Sequence, residues 1–152
     1  MKWKIFIVCF LIVYSVAFLG GLFTDVDSGW YDLVKPSITP PNYIFPIVWN
    51  ILFFLIALSL YLAWIKSKKI QKRKIAFVFG INLLLNFFWS VLFFGLKKSP
   101  LAFAELIVLW MSILLMILTT YKIDKKSSYL LIPYLLWVSF AGVLNWMIAF
   151  QN

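Results

Sequence analysis

Five long apolar stretches run along the chain, and short segments between them hold nearly all of the charged residues. The stretches cover residues 3–23, 43–65, 75–96, 101–121 and 129–150. A helix needs about 20 mostly apolar residues to cross a bilayer, and each stretch meets that length. None shows the strict alternation that a membrane β-strand requires. The pattern predicts an all-α integral membrane protein built as a five-transmembrane-helix bundle.

The five stretches and their connections use up the chain of 152 residues. We therefore expect a single membrane domain over 1–152, with no separate catalytic or regulatory module. The first stretch begins beside two lysines, Lys2 and Lys4, as a secretory signal would, but it is too long for one and ends in Leu19-Gly20-Gly21-Leu22 without a convincing cleavage site. It is interpreted as the first span. The composition, 64% hydrophobic and 12% charged, agrees with a protein of the bilayer.

The cations are distributed very unevenly between the two sides of the predicted bundle. One side carries Lys2, Lys4, Lys66, Lys68, Lys69, Lys72, Arg73, Lys74, Lys122, Lys125 and Lys126. The other side carries Lys35, Lys97 and Lys98. The positive-inside rule then predicts a cytoplasmic N-terminus and a C-terminus outside. Topology and contact with anionic membrane lipid account for the net charge of +9 better than nucleic-acid binding does, so no nucleic-acid partner is expected.

Several kinds of site chemistry have no residues to carry them. The chain has no histidine and one cysteine, Cys9, which lies in the first stretch and is interpreted as a small buried apolar side chain. A zinc site, a histidine acid–base pair and a histidine-ligated haem are excluded. The aspartates show no metal-ligand spacing, so no metal site and no required cofactor are predicted. No dedicated catalytic residue is assigned either.

Aromatic residues are abundant, with eight Trp, seven Tyr and sixteen Phe. Some occupy predicted interfaces, where amphipathic rings anchor a helix: Trp3, Tyr43, Trp64, Tyr121 and Tyr129. Others lie deeper. In the fifth span one helical stripe holds Trp137, Phe140, Ala141, Leu144 and Asn145. This stripe fits a flat apolar ligand, with a notch at the alanine, and it fits ordinary helix packing equally well.

Two other spans repeat the combination of rings and amides. The third has Asn82, Asn86 and Trp89 on one face, and the second has Phe45, Trp49 and Phe53. Asparagine is costly in hydrocarbon unless it meets a partner or a cavity. If the stripes converge, the bundle contains a pocket lined by Trp49, Trp89 and Trp137, with Asn86 and Asn145 as polar contacts.

Glu105 is the one carboxylate predicted within a span. Ionisable groups inside a membrane are functional candidates, which would make Glu105 the coupling group of a proton-driven exporter. A structural role, through Lys97, Lys98 or water near the outer boundary, is the favoured alternative.

The connection 24–42 is the only long one. It holds Trp30 and Tyr31 together with Pro36, Pro40 and Pro41, which makes it too apolar and too stiff for a solvated linker. We expect it to fold over the outer end of the bundle as a lid. Lys35 would then meet an anionic group of a bound ligand.

These motifs, in this order along nearly the whole chain, resemble the translocator protein family, the tryptophan-rich sensory proteins also known as peripheral benzodiazepine receptors. The matching residues are Trp30-Tyr31, Leu33, Lys35-Pro36-Ser37, Pro40-Pro41, Pro46, Trp49, Asn86, Trp89, Pro133-Tyr134, Trp137, Phe140-Ala141 and Leu144-Asn145. The resemblance implies a five-helix bundle, often a homodimer, in a membrane that we expect to be a bacterial cell membrane. It also implies binding of porphyrins and, in some members, of sterols and isoquinoline carboxamide or benzodiazepine drugs.

The resemblance further implies a pocket beneath the first loop. The positions that match its lining are Tyr31, Pro40, Trp49, Asn86, Trp89, Trp137, Phe140, Ala141 and Leu144. The chain departs from the family pattern in three places. The spacing from Trp-Tyr to Lys-Pro is one residue shorter, Ile38 replaces a common aromatic, and the sterol motif of the fifth helix is broken, with Trp146 at its tyrosine position.

Three functions are carried forward. The first is a membrane sensor or translocator that holds a tetrapyrrole, either protoporphyrin IX or haem, by stacking on tryptophans and by contacts with Asn and Lys35. The second is an enzyme-like breakdown of bound porphyrin that depends on light or oxygen, with Trp49 or Trp137 exchanging electrons with the excited ring. The third is the exporter that uses Glu105.

Overall fold

The computed structural model describes residues 2–151, and these confirm the predicted membrane bundle. Its helices are α1 (Trp3–Gly21), α2 (Gly29–Val34), α3 (Ile44–Lys66), α4 (Lys69–Ser90), α5 (Ser99–Tyr121), α6 (Lys125–Tyr129) and α7 (Ile132–Phe150). A π-helical segment, Val91–Gly95, continues α4. Five of the described helical stretches are long and apolar enough to span a bilayer: Trp3–Gly21, Ile44–Lys66, Lys69–Gly95, Ser99–Tyr121 and Lys125–Phe150.

The third span begins at Lys69 and not at Ile75, where the apolar stretch begins. Its first turn is capped, because the Lys68 amide N–H donates to Oε1 of Gln71 at 2.8 Å. Hydropathy marks only the part of a helix that lies in hydrocarbon. The basic segment ahead of Ile75 is therefore the water-facing end of the same helix and not a connection.

The connection 24–42 contains a short helix that hydropathy did not predict. The hydroxyl of Ser28 accepts a hydrogen bond from the amide N–H of Tyr31 at 3.2 Å, and this N-cap starts α2. The helix ends where Lys35 takes an extended conformation ahead of Pro36. The helix gives this part of the connection a regular backbone conformation over the end of the bundle.

The bundle packs around α5, which lies against α4 and α7, while α1 lies against α3 and α4. The helices α5 and α7 approach each other closely at Gly142, where a Cβ would lie 3.1 Å from Cδ2 of Leu106. Small residues at helix contacts are common in membranes, where packing replaces the hydrophobic effect as the source of association.

Polar contacts join α3 to α6 at the end of the bundle that carries most of the cations. The hydroxyls of Ser59 and Ser127 lie 2.9 Å apart, and the Lys66 Nζ lies 2.7 Å from Oδ1 of Asp124. Burial raises the pKa of the Asp124 carboxyl. Hydrogen bonds from Lys66 and from the amide N–H of Ser127 outweigh that effect, so the pKa lies below its ordinary value.

Asp124 therefore has two separable roles, as the partner of Lys66 and as the N-cap of α6. Asp124→Asn removes the charge and keeps a capping oxygen, so near neutral pH we expect it to lower the free energy of unfolding by up to about 1 kcal/mol. Asp124→Ala also removes the cap and should cost about 1 kcal/mol more. Thermal unfolding in detergent measures both.

The direction in which pH changes the stability contributed by Asp124 follows from its depressed pKa. Because the pKa of Asp124 is depressed in the folded protein, the stability it contributes is present above the unfolded pKa of about 3.9 and is lost as the pH falls through the folded pKa. The difference in stability between wild type and Asp124→Asn should thus shrink in strong acid. A difference that is constant across this range would contradict the assignment of the charge.

Candidate functional site

A cavity of about 450 Å³ lies beneath α2, at the end of the bundle opposite the Lys66–Asp124 pair. It is bounded by α1, α3, α7, the last turns of α4 and the π-helical segment. Its lining residues are Tyr14, Ala17, Phe18, Gly20, Gly21, Thr24, Val26, Tyr31, Phe45, Pro46, Trp49, Asn50, Phe53, Asn86, Trp89, Ser90, Phe93, Phe94, Trp137, Ala141, Leu144, Asn145 and Ile148.

Three tryptophans from three helices face this cavity. Trp49 of α3 stacks on Phe53 with the ring centroids 5.4 Å apart, and Trp89 of α4 stacks on Phe93 at 5.0 Å. The third, Trp137 of α7, meets the edge of Phe45 at 5.8 Å. Each indole packs against a phenylalanine that also lines the cavity. Three pairs of aromatic rings therefore form much of the wall.

Hydrogen bonds hold two of the polar groups in the wall. The Nε1 of Trp89 donates to Oδ1 of Asn145 at 3.1 Å, and Nδ2 of Asn145 donates to the backbone oxygen of Ser99 at 2.9 Å. The Nε1 of Trp137 is also buried, but no hydrogen-bond partner for it exists among residues 2–151. A buried donor without an acceptor costs about 1–3 kcal/mol. This N–H is therefore an unpaired donor on a residue that lines the cavity.

A chain of hydrogen bonds runs from the cavity wall into the bundle. Nδ2 of Asn86 donates to the hydroxyl of Tyr134 at 3.2 Å, and that hydroxyl donates to Oδ1 of Asn82 at 3.2 Å. Nδ2 of Asn82 then donates to Oγ of Ser112 at 2.8 Å. This chain links α4, α7 and α5 and satisfies amides that hydrocarbon cannot. It fixes the side chain of Asn86 at the edge of the cavity.

The π-helical segment shapes the wall nearest to α2. The amide N–H of Leu96 donates to the carbonyl of Val91 at 2.8 Å, which is the wide i to i+5 bond of a π-helix. Through this turn Phe93 and Phe94 are both buried with their ring centroids 4.8 Å apart. Both rings thus belong to the wall of the cavity.

The lid rests on these rings. Tyr31 is 2% exposed, and its ring lies 5.5 Å from Phe94 and 6.2 Å from Phe45. Burial raises the pKa of the Tyr31 hydroxyl to about 12, so it stays protonated at physiological pH. Trp30 meets the edge of Phe93 at 5.6 Å, and the Lys97 amine lies 5.8 Å from the centroid of Trp30. The lid is therefore packed onto the wall by aromatic contacts.

A polar latch closes the base of the lid. Nδ2 of Asn42 donates to the carbonyl of Val26 and to Oδ1 of Asp27, each at 2.9 Å. The Lys35 amine donates to Oδ1 of Asp32 at 2.5 Å and to Oδ1 of Asn42 at 3.3 Å. The hydrogen bond from Lys35 lowers the pKa of the Asp32 carboxyl. Asn42 thus ties together both ends of the connection.

Most of the residues singled out in the sequence meet at the cavity, and some do not. The lining includes Tyr31, Trp49, Asn86, Trp89, Trp137, Ala141, Leu144 and Asn145. Pro40 and Phe140 are not part of the lining, and the Phe140 ring instead lies 5.6 Å from Trp137. The lid residues Trp30, Lys35, Pro36 and Pro41 also lie outside the lining, and Lys35 is engaged by Asp32 and Asn42.

The wall formed by α1 was hard to predict from the sequence. This helix contributes Tyr14, Ala17, Phe18, Gly20 and Gly21, and its nearly uniform apolar sequence shows no stripe. The one available signal was the Gly20-Gly21 pair followed by Thr24. A Cβ at Gly21 would meet nothing within 4 Å, so the glycine leaves open space at the cavity.

Glu105 lies away from the cavity, because no residue of α5 is among the lining. Both oxygens of its carboxyl group are buried, and no hydrogen-bond partner for them exists in the described part of the chain. The expected pairing with Lys97 or Lys98 is absent there as well. Of the forms expected for a structural role of Glu105, the ion pair with Lys97 or Lys98 is therefore wrong.

Comparisons with known proteins match nearly the whole length of the chain. A family model described as the TspO/MBR family matches residues 8–151. The chain is 41% identical over 149 residues to "Tryptophan-rich protein TspO" of Chlorobaculum tepidum, covering 95% of this chain and 93% of that one. It is 38% identical over 144 residues to the protein of the same description from Archaeoglobus fulgidus, with 93% of each covered. "Translocator protein" of Homo sapiens is 27% identical over 139 residues, covering 89% and 82%.

Tyr134 is the centre of the hydrogen-bond chain behind the cavity. Tyr134→Phe leaves Oδ1 of Asn82 without its donor and Nδ2 of Asn86 without its acceptor, so we expect a loss of roughly 1–3 kcal/mol in the free energy of unfolding. Thermal unfolding in detergent measures it. Tyr129→Phe, at a residue 55% exposed, is the matched control and should stay within about 0.5 kcal/mol of wild type. Equal stability of the two variants would refute the structural role of the network.

Proposed function

The chain belongs to the TspO/MBR family, and from this premise we propose that it is a sensor or translocator that binds a porphyrin-type tetrapyrrole in the cavity beneath α2. Relatives carry the names "Tryptophan-rich sensory protein", from Cereibacter sphaeroides, and "Translocator protein", from Bos taurus. The proposal for this chain is the ligand and its location between the helices.

One observation carries the proposal, which is the convergence of three indoles on one cavity. Small-molecule sites are concave, mostly apolar and supplied with a few polar groups, and they commonly measure about 300–1,000 Å³. The cavity of about 450 Å³ fits this description. Flat conjugated ligands gain from stacking against aromatic faces, and Trp49, Trp89 and Trp137 offer such faces.

The polar groups suggest how the ligand is oriented. The N–H of Trp137 would donate to an acceptor on the ligand, which would relieve the cost of its burial. No lysine or arginine among residues 2–151 lines the cavity. The carboxylates of a porphyrin would therefore extend toward the lid, where Lys35 would exchange Asp32 for the ligand.

The absence of histidine from the sequence bears on which porphyrin is bound. Stacking and amide contacts hold a porphyrin ring without regard to its metal. Metal-free protoporphyrin IX and haem are therefore both ligands under this proposal. Neutral flat drugs of the isoquinoline carboxamide and benzodiazepine classes would use the same rings without the contact to Lys35.

Two competing functions are weighed against binding alone. Breakdown of the porphyrin by light and oxygen is favoured by the direct exposure of Trp49 and Trp137 to the cavity, since an indole near an excited ring can donate an electron. A proton-coupled exporter is not favoured, because Glu105 lies outside the cavity wall and would not meet a ligand held there. One experiment separates binding alone from breakdown of the bound porphyrin.

The test is tryptophan fluorescence quenching by protoporphyrin IX in detergent. We expect saturable quenching in wild type. Trp137→Phe loses the N–H contact and should weaken binding by roughly tenfold. Ala141→Phe fills the notch between the rings and should weaken binding further, because the added ring occupies space in the cavity that the ligand needs.

The matched control for Ala141→Phe is Val143→Phe, which places the same ring at a position of α7 that is 49% exposed. This control should bind as wild type does. Equal loss in both variants, or no saturation in wild type, would contradict the proposed site. Illumination of the complex with an absorbance scan then separates the alternatives, since bleaching that disappears in Trp137→Phe indicates photochemistry and a stable spectrum indicates binding alone.

The latch at the base of the lid gives a kinetic prediction. Asn42→Ala removes the hydrogen bonds to Val26 and Asp27 and one acceptor for Lys35. The lid should then open more readily, and bound protoporphyrin should dissociate roughly tenfold faster in a stopped-flow displacement experiment. Ser37→Ala, at an exposed position of the same connection, is the control and should leave the rate unchanged. An unchanged rate in Asn42→Ala would show that the lid does not limit release.

A further inference from the structure

A second cavity of about 350 Å³ lies between α1, α3 and α4, in the half of the bundle that contains the N-terminal end of α1. None of its lining residues belongs to the cavity beneath α2. The lining consists of Lys4, Ile5, Val8, Cys9, Ile12, Leu60, Trp64, Ala76, Phe79, Gly80 and Leu83. It is therefore an apolar groove with a single charged residue, and that residue lies at its end.

Two of the groove's walls begin with a lysine. On α1, Lys4, Val8 and Ile12 follow each other at intervals of four and share one face. On α4, Lys72, Ala76 and Gly80 do the same. The Lys72 amine lies 5.5 Å from the centroid of Trp64, the aromatic residue of the third wall. Two cations and an indole thus surround the mouth of an apolar slot.

Gly80 keeps the slot open at its middle. A Cβ at this position would meet nothing within 4 Å, so no packing contact demands a glycine. Glycine inside a helix costs about 1 kcal/mol relative to alanine. The residue therefore adds room at an energetic cost that the bundle itself does not explain. An occupant of the groove would use that room.

We propose that this groove binds an anionic phospholipid of the leaflet at the N-terminal end of α1, with an acyl chain between Ile12, Gly80 and Leu83 and the phosphate between Lys4 and Lys72. The apolar wall matches the chain, and the two ammonium groups match a negatively charged headgroup. Indole rings favour the interfacial depth at which a glycerol backbone lies, which suits the position of Trp64. The site is independent of the porphyrin proposal, because the two cavities share no residue.

Charge complementarity distinguishes this occupant from a second copy of the chain. The described cations at this end include Lys66, Lys68, Lys69 and Arg73, as well as Lys4 in the groove and Lys72 beside Trp64 at its mouth. A symmetric copy would bring the same positive charges toward each other. An anionic lipid neutralises them, and each lysine close to a phosphate is expected to strengthen binding by roughly fivefold.

The test is quenching of Trp64 by lipids with brominated acyl chains in phosphatidylcholine vesicles. Each protein is compared with its own Trp64→Phe version, so that the signal of this indole is isolated. Brominated phosphatidylglycerol should quench Trp64 at a lower mole fraction than brominated phosphatidylcholine. Gly80→Leu fills the slot and should abolish the difference, while the gain in helix propensity keeps the helix stable.

Charge variants test the headgroup contact. Lys4→Gln and Lys72→Gln should each raise the phosphatidylglycerol fraction for half-quenching by roughly fivefold. Matched controls are Lys122→Gln and Lys126→Gln, at exposed lysines that do not line the groove, and Ala104→Leu, an added side chain on the exposed face of α5. These controls should behave as wild type does. Protoporphyrin quenching through Trp137 should persist in every groove variant.

Two outcomes would overturn the proposal. Equal quenching of Trp64 by the two lipids would mean that the groove is filled by bulk acyl chains without selection. Protection of Trp64 from both lipids, together with conversion of a cross-linked dimer to a monomer by Gly80→Leu, would mean that a second copy occupies the groove.

Discussion

Satisfaction of polar groups inside hydrocarbon is the constraint on which the rest of this structure depends. Amides in a bilayer have no water to bond with, so each must find a partner within the protein. Asn82, Asn86 and Asn145 do so by bonding to Tyr134, Ser112, Trp89 and the carbonyl of Ser99. These bonds cross between α4, α5 and α7 and fix their mutual rotation. The rotation in turn aims Trp89 and Trp137 at one space.

The same constraint separates the two parts of the bundle. Around α5 the helices are joined by directional bonds and by the close approach at Gly142. By contrast, α1 is attached largely by apolar contacts, with one hydrogen bond from the Tyr14 hydroxyl to the carbonyl of Asn50. Both cavities lie against α1. The cavities thus lie beside the helix that is joined to the rest of the bundle mainly by apolar contacts.

The sequence predicted the five spans, because a bilayer imposes a length and an apolar composition that can be read directly. Much of the ring-lined wall could also be predicted. Asn86 and Trp89 stand at helical spacing, as do Trp137 and Ala141. An asparagine in hydrocarbon needs a partner or a cavity, so its presence beside these rings pointed to the interior of the bundle. The contribution of α1 could not be predicted, because a helix that is apolar all round does not reveal which face turns inward. The fold of the lid depended on the Ser28 cap, a local hydrogen bond that hydropathy does not register.

The π-helical turn at Val91–Gly95 has a further consequence for how this helix is read. A π-turn holds one residue more than an α-turn, so side chains beyond it are rotated about the axis relative to those before it. A helical wheel drawn at ordinary α-helical spacing therefore misplaces the side chains at the end of this span. Asn86 and Trp89, before the segment, line the same cavity as Phe93 and Phe94 within it. The wider turn is thus part of what keeps the end of this helix facing the chamber that Asn86 borders.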